Sequence, residues 1–328
     1  MWPDNSGRSP RTHRLASERL APAANVTSFS APAGTAASES VTYKTADIDG
    51  LGIFYREAGP PSAPTVLLLH GFPSSSHMFR DLIPKLAGKY HVVAPDYPGY
   101  GFSDAPPIDR FTYSFERLAE VIERFTEELG LTRYSLYMQD FGGPVGFRLA
   151  TRHPDRVEAL IIQNAVAHAE GLSEGFDPAR AFWKNRNPET EKPMRALLSI
   201  EMTRFQYLHG AGRPDRISPD SWTLDQALLD RPGNGEIQLA MLYDYRNNPP
   251  RYPDWQAYLR ERRPPTLIVW GANDPFFTVA GANAYKRDVP DAELHVFDGG
   301  HFLLEEYSAE VAALITDFLG RHLSDRVE

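Results

Sequence analysis

The apolar run Val66-Leu67-Leu68-Leu69, introduced by Thr65, sets the hydrophobic pattern of the chain. A short run with no polar alternation predicts a strand covered on both faces. Comparable runs follow at His91–Ala94, Tyr134–Met138, Val157–Gln163, Thr266–Trp270 and Glu293–Phe297. Segments with helical spacing separate them: Ser76–Ala87, Tyr113–Leu129 (stopped by Gly130), Val145 to about His153, Val279–Asp288 and Ser308–Leu323. Ahead of these, Ser40–Ala46 and Leu51–Ala58 flank Asp49-Gly50, a hairpin signal. Strands alternating with helices predict an α/β fold whose mostly parallel sheet is flanked by helices.

The alternation stops near Ala165. From about Ala167 to Trp255 the helical segments Lys192–Gln206, Trp222–Leu229 and Glu236–Tyr245 are separated by Pro and Gly, with no strand pattern. The expected organisation is an α/β core at 40–166 and 257–328, a helical cap at 167–256 and a disordered tail at 1–39. Ligands in such sheets bind outside the carboxyl ends of the strands, so an insert there would roof the crevice. The tail is rich in Ala, Ser, Pro and Arg and poor in large apolar residues, so it cannot offset its own ordering entropy. It also has no apolar stretch of secretory type, although a targeting segment remains open.

Composition narrows the partners. The 328 residues carry a formal net charge of −9 and no cysteine. The acidic balance argues against nucleic acid or an anionic membrane surface as the main partner. Thiolate chemistry and disulfides are excluded. No stretch approaches the roughly 18 apolar residues of a membrane span, so a cytoplasmic location is expected.

The chemistry centres on Gln139-Asp140-Phe141-Gly142-Gly143, where a strand pattern turns sharply into a helix. The spacing is that of a nucleophile elbow, with a carboxylate where serine would stand. Asp is also a favoured helix cap, but two more residues fall after strand ends on the same sheet edge. They are Asp274, in Gly271-Ala272-Asn273-Asp274, and His301, in Gly299-Gly300-His301. A carboxylate can attack carbon to give an ester. His301 would activate the water that cleaves it, and Asp274 would orient the imidazole. The turn His70-Gly71-Phe72-Pro73 can aim the Phe72 N–H at the same point as the Phe141 N–H, an oxyanion hole. No metal or organic cofactor is implied.

These motifs, with Asp96-Tyr97-Pro98-Gly99-Tyr100-Gly101, resemble the α/β-hydrolase superfamily over roughly Val41 to Leu323. The likeness is to its Asp-nucleophile branch of epoxide hydrolases and haloalkane dehalogenases. It implies an eight-stranded, mostly parallel sheet with a helical lid, a small epoxide or halogenated substrate, and water. Haloalkane dehalogenases resemble the elbow through Gln139, but they place Trp and often Asn where Phe141 and Phe72 stand. A lid tryptophan (Trp183, Trp222 or Trp255) would have to hold the halide. Fluoroacetate dehalogenases have arginines where Phe141 and Pro144 stand. Epoxide hydrolases share the His-Gly-Phe-Pro turn and use lid tyrosines, which Tyr207 and Tyr245 would supply. His70, Trp183, Trp222 and Phe302 would line the pocket. The reading is an epoxide hydrolase acting through an Asp140 ester, with haloalkane dehalogenation and non-catalytic ligand binding as alternatives.

Overall fold

The computed structural model describes residues 40–323. The tail expected at 1–39 lies outside the described residues. Eight strands form one sheet: β1 (Thr42–Ile48), β2 (Leu51–Ala58), β3 (Thr65–Leu69), β4 (His91–Pro95), β5 (Tyr134–Gln139), β6 (Val157–Gln163), β7 (Thr266–Gly271) and β8 (Glu293–Phe297). Their order is β1-β2-β4-β3-β5-β6-β7-β8. Pairing is antiparallel for β1–β2 and β2–β4 and parallel across the rest. The hairpin turns at Asp49 and Gly50, both with positive φ, which matches the twist of the flanking strands. Every residue of β3, β4, β5 and β7 is buried, as their unbroken apolar runs require.

The segment expected as one helix at Ser76–Ala87 is a 3₁₀ turn at Ser76–Phe79 followed by the short α1 (Ile83–Leu86). Pro84 sits at the start of α1, where its missing N–H costs no bond. The Ser76 N–H is given to Asp96 at 2.7 Å, tying this turn to the loop after β4. Helix α2 (Phe115–Glu128) is capped by Ser114 Oγ, which accepts the Arg117 N–H, and is stopped at Gly130 in the left-handed region. Its buried stripe of Phe115, Leu118, Val121, Ile122 and Phe125 recurs at helical spacing. Each such side chain stabilises the sheet contact by about 1.5–3 kcal/mol. Helix α3 (Gly142–Arg152) leaves the elbow directly.

Between β6 and β7 run α4 (Asp177–Lys184), α5 (Pro188–Ala196), α6 (Ile200–Leu208), α7 (Pro219–Leu229), α8 (Asn234–Asp244) and α9 (Tyr252–Arg262). The helix expected at Lys192–Gln206 is therefore two. Ser199 ends the first by capping the second, its hydroxyl accepting the Met202 N–H. After β7 come α10 (Val279–Asp288) and α11 (Leu304–Leu323); α11 begins four residues before the expected Ser308 and is kinked at Tyr307. Among the described residues no helix is long and apolar enough to cross a membrane.

Candidate active site

Asp140 stands between β5 and α3 with φ of +47°, a conformation that costs energy for any residue with a Cβ. Close packing enforces it. A Cβ on Gly142 would lie 2.1 Å from the Leu69 carbonyl oxygen, and one on Gly71 would lie 2.4 Å from Asp140 Cβ. Only glycine lets β3, its turn and the elbow approach this closely. The Phe72 N–H donates to Asp140 Oδ2 at 2.6 Å, and the Phe141 N–H also points at this carboxylate. Two backbone donors thus converge on the carboxyl group, where an oxyanion would form if its ester were attacked.

His301 follows β8, and its Nδ1 lies 2.8 Å from Asp274 Oδ2. Asp274 is held from several sides. Its Oδ2 also accepts from Asn164 Nδ2 at 2.8 Å, and its Oδ1 accepts the N–H groups of Phe276 (2.7 Å) and Phe277 (3.1 Å). A carboxylate so held fixes the imidazole with Nδ1 protonated, which makes Nε2 the nitrogen that can take a proton. Nε2 is 3.1 Å from Gln139 Nε2, whose N–H it can accept. Asp140, Asp274 and His301 are all buried.

Burial pushes the Asp140 carboxyl up to about 6; His301 and the two backbone N–H groups oppose the shift without cancelling it. Burial favours neutral His301, but the charges of Asp274 and Asp140 and the Asp274 hydrogen bond outweigh it and raise the pKa above 6.5. An ester on Asp140 would remove one of those charges. The imidazole would then give up its proton more readily, in the step that needs a base. Attack by Asp140 needs the carboxylate, so ester formation should rise about tenfold from pH 5 to pH 7, with its inflection near 6. Rapid-quench measurement of ester formation across that range checks this.

A cavity of about 130 Å³ opens over Asp140 and His301. Its walls are Phe72, Phe141, Phe176, Met194, Leu197, Leu242, Phe276 and Phe277, with Tyr245 and Gln206 as further polar members. Among the described residues no Lys or Arg lines it.

The remaining expected site residues lie elsewhere. Tyr207, read as facing the site, turns away: its hydroxyl donates to buried Asp225 at 2.5 Å and its ring stacks on Phe302 at 4.0 Å. Phe302 and Trp222 belong to that aromatic group and do not line the cavity. His70 lies beneath the site, not in its wall. Its Nδ1 is 3.1 Å from the Gly71 carbonyl and its Nε2 accepts the Tyr97 N–H at 3.2 Å, so both nitrogens brace the oxyanion turn. Burial lowers its pKa to about 3, keeping it neutral. Trp183 stacks flat on Tyr245 at 5.5 Å and gives its N–H to the Leu242 carbonyl at 2.8 Å. It buttresses Tyr245 and offers the cavity no donor.

Two residues were not foreseen. Asn164 follows β6 on the edge that carries the other groups, and only its lack of charge hid its part in holding Asp274. Gln206 precedes Tyr207, and a helix turns about 100° per residue, so one of the pair faces the cavity and the other does not.

A carboxylate at a strand–helix elbow, an Asp-held histidine and paired N–H donors define a hydrolase of the α/β class. The chain belongs to the alpha/beta hydrolase fold family, whose model matches residues 64–307, and to its Asp-nucleophile branch. It is 42% identical over 268 residues to an uncharacterised hydrolase of Saccharomyces cerevisiae, covering 80% of this chain and 92% of that one. It is 38% identical over 295 residues to a haloalkane dehalogenase of Mycobacterium marinum, covering 85% of this chain and 92% of that one. In fold it is similar to a ligand-free epoxide hydrolase, CorEH, with a TM-score of 0.69, 21% identity and coverage of 86% of this chain and 99% of that one.

Proposed function

We propose that the protein hydrolyses small uncharged epoxides to vicinal diols through an ester on Asp140. The observation that carries this reading is Tyr245, a buried phenol lining the same apolar cavity as Asp140 and His301. Burial pushes its pKa well above 10, with Tyr252 and Asp140 adding to the shift, so it keeps its proton and can donate it. The absence of a lining Lys or Arg fits a substrate without charge, and the cavity volume is of the order that holds a benzene-sized group.

In this reaction Asp140 attacks a ring carbon and the C–O bond breaks with its electron pair left on oxygen. That oxygen takes the Tyr245 proton. Water then adds to the ester carbonyl carbon while His301 Nε2 removes its proton. The oxyanion sits against the Phe72 and Phe141 N–H groups. Collapse expels the alkoxide, which takes the proton from His301 and leaves as the diol. Asp140 is now a carboxylic acid, and its proton restores Tyr245.

The rival is haloalkane dehalogenation by the same nucleophile, favoured by the Mycobacterium marinum relative and by Gln139 before Asp140. Against it, Phe72 and Phe141 carry no side-chain donor and no tryptophan lines the cavity. Incubation with styrene oxide and, separately, 1-bromobutane tests the choice. Diol without bromide is expected, and bromide without diol would overturn it. The two lid tyrosines should also separate. Tyr245→Phe should slow ester formation by about 10²- to 10³-fold. Tyr207→Phe should leave that step unchanged and lower stability by about 1–3 kcal/mol, because Asp225 loses the nearer of its two donors and keeps only Ser74. Rapid-quench kinetics and urea unfolding measure the two effects.

A further inference from the structure

Gln206 lines the cavity and is only 3% exposed, yet its Nε2 has no hydrogen-bond partner among the described residues. Buried amide groups without partners are uncommon and costly, and a folded protein keeps one for a reason. The other residues of this helix show the contrast. Thr203 Oγ1 donates to Gln226 at 2.8 Å, and the Tyr207 hydroxyl to Asp225 at 2.5 Å. Polar side chains on the neighbouring faces of α6 are thus matched inside the lid. Gln206 borders the cavity that Asp140, His301 and Tyr245 also line; its Nε2 is itself closed off there, and a half-turn of the amide exchanges Nε2 with Oε1 and brings the N–H to the cavity. The rest of the lid wall there is apolar: Pro178, Ala179, Pro193, Met194, Leu197 and Leu242. Among the described residues, Asp140, His301, Tyr245 and Gln206 are the lining residues with polar side chains.

We infer that Gln206 is a catalytic residue whose amide N–H, beside the Tyr245 hydroxyl, donates a hydrogen bond to the epoxide oxygen as it leaves carbon. The inference rests on the epoxide reading. The two donors are not equivalent. An amide holds its protons at neutral pH, so Gln206 stabilises the developing alkoxide without protonating it. The proton moves only from Tyr245 Oη to the alkoxide oxygen. Asp140 supplies the electron pair for the new C–O bond, and the ring C–O bond releases its own pair to the oxygen that both donors face. Such a donor acts most strongly when charge develops, so its removal should fall on the ester-forming step and not on ester hydrolysis.

The test uses the full-length protein carrying His301→Gln, in which the ester persists, with styrene oxide as the probe. Gln206→Met keeps length and helix propensity and removes the donor. It should slow ester formation by about 10- to 100-fold. The unfolding midpoint should be unchanged or raised, because an unpartnered amide leaves the interior. Gln206→Leu should behave alike and serves if the first variant folds poorly. Ester formation at the parental rate in either variant overturns the inference, as does slowing that only tracks a loss of stability. If the parent forms no ester with styrene oxide or any other epoxide, the epoxide reading itself fails. Slower ester formation from 1-bromobutane in Gln206→Met would then keep Gln206 as a leaving-group donor, and an unchanged rate would reject it.

Discussion

His301→Gln should stop the reaction halfway. Asp140 still attacks, because its carboxylate and the Phe72 and Phe141 donors remain, but no group is left to take the proton of the incoming water. Incubated with styrene oxide, the variant should gain the mass of one epoxide per chain and hold it. Steady-state diol formation should fall by about 10³- to 10⁴-fold, while the first ester forms at a rate close to that of the parent. Peptide mapping should place the added mass on Asp140. The uncharged Gln does not replace the imidazole, because an amide is not basic enough to accept a proton from water.

Asp140→Asn should abolish both steps. The amide keeps the size of the side chain and can still accept the Phe72 N–H through its oxygen, but it is a poor nucleophile. Turnover should drop by about 10⁴-fold or more, as when a nucleophile is lost elsewhere. No mass should be gained, even in the double variant with His301→Gln. Stability should not collapse with activity. Asp140 is a buried carboxylate with a left-handed backbone, and Asn tolerates that backbone while removing the cost of burying charge. A protein that melts at or above the parental temperature yet turns nothing over would separate the chemical role of Asp140 from a structural one.

The strands were the most legible part of the chain. Thr65–Leu69 stands where its pattern predicts, because a strand buried on both faces leaves no polar position to blur the signal; Leu51–Ala58, Val157–Gln163 and the partly exposed Glu293–Phe297 also stand where their patterns predict. Helices were legible where a cap or glycine marked the end, as at Gly130. The break at Ser199 was not, since serine in a helical pattern reads equally as an interior residue or a cap.

The site followed the same logic. Asp140, Asp274 and His301 each follow a strand, so the sheet itself brings them to one edge, and sequence order alone carries that information. The lid groups depend on helix phase and on partners far away in sequence. Whether α6 turns Gln206 or Tyr207 inward depends on Asp225, 18 residues on, which captures the Tyr207 hydroxyl. Trp183 is withheld from the cavity by the Leu242 carbonyl, 59 residues away. Neither partnership leaves a periodic trace. His70 was misplaced for a different reason. Its side chain is consumed by backbone groups of its own turn and of Tyr97, which only the folded loop brings near.

The covalent role of Asp140 is tested most directly by a single turnover in ¹⁸O water, with protein in excess over styrene oxide. If Asp140 gives one of its own oxygens to carbon and water then attacks the ester carbonyl, the first diol should carry no label, and the label should appear in the Asp140 peptide. A first-turnover diol bearing ¹⁸O, with an unlabelled Asp140, would mean that water attacks the substrate directly and would contradict the role of Asp140 as nucleophile.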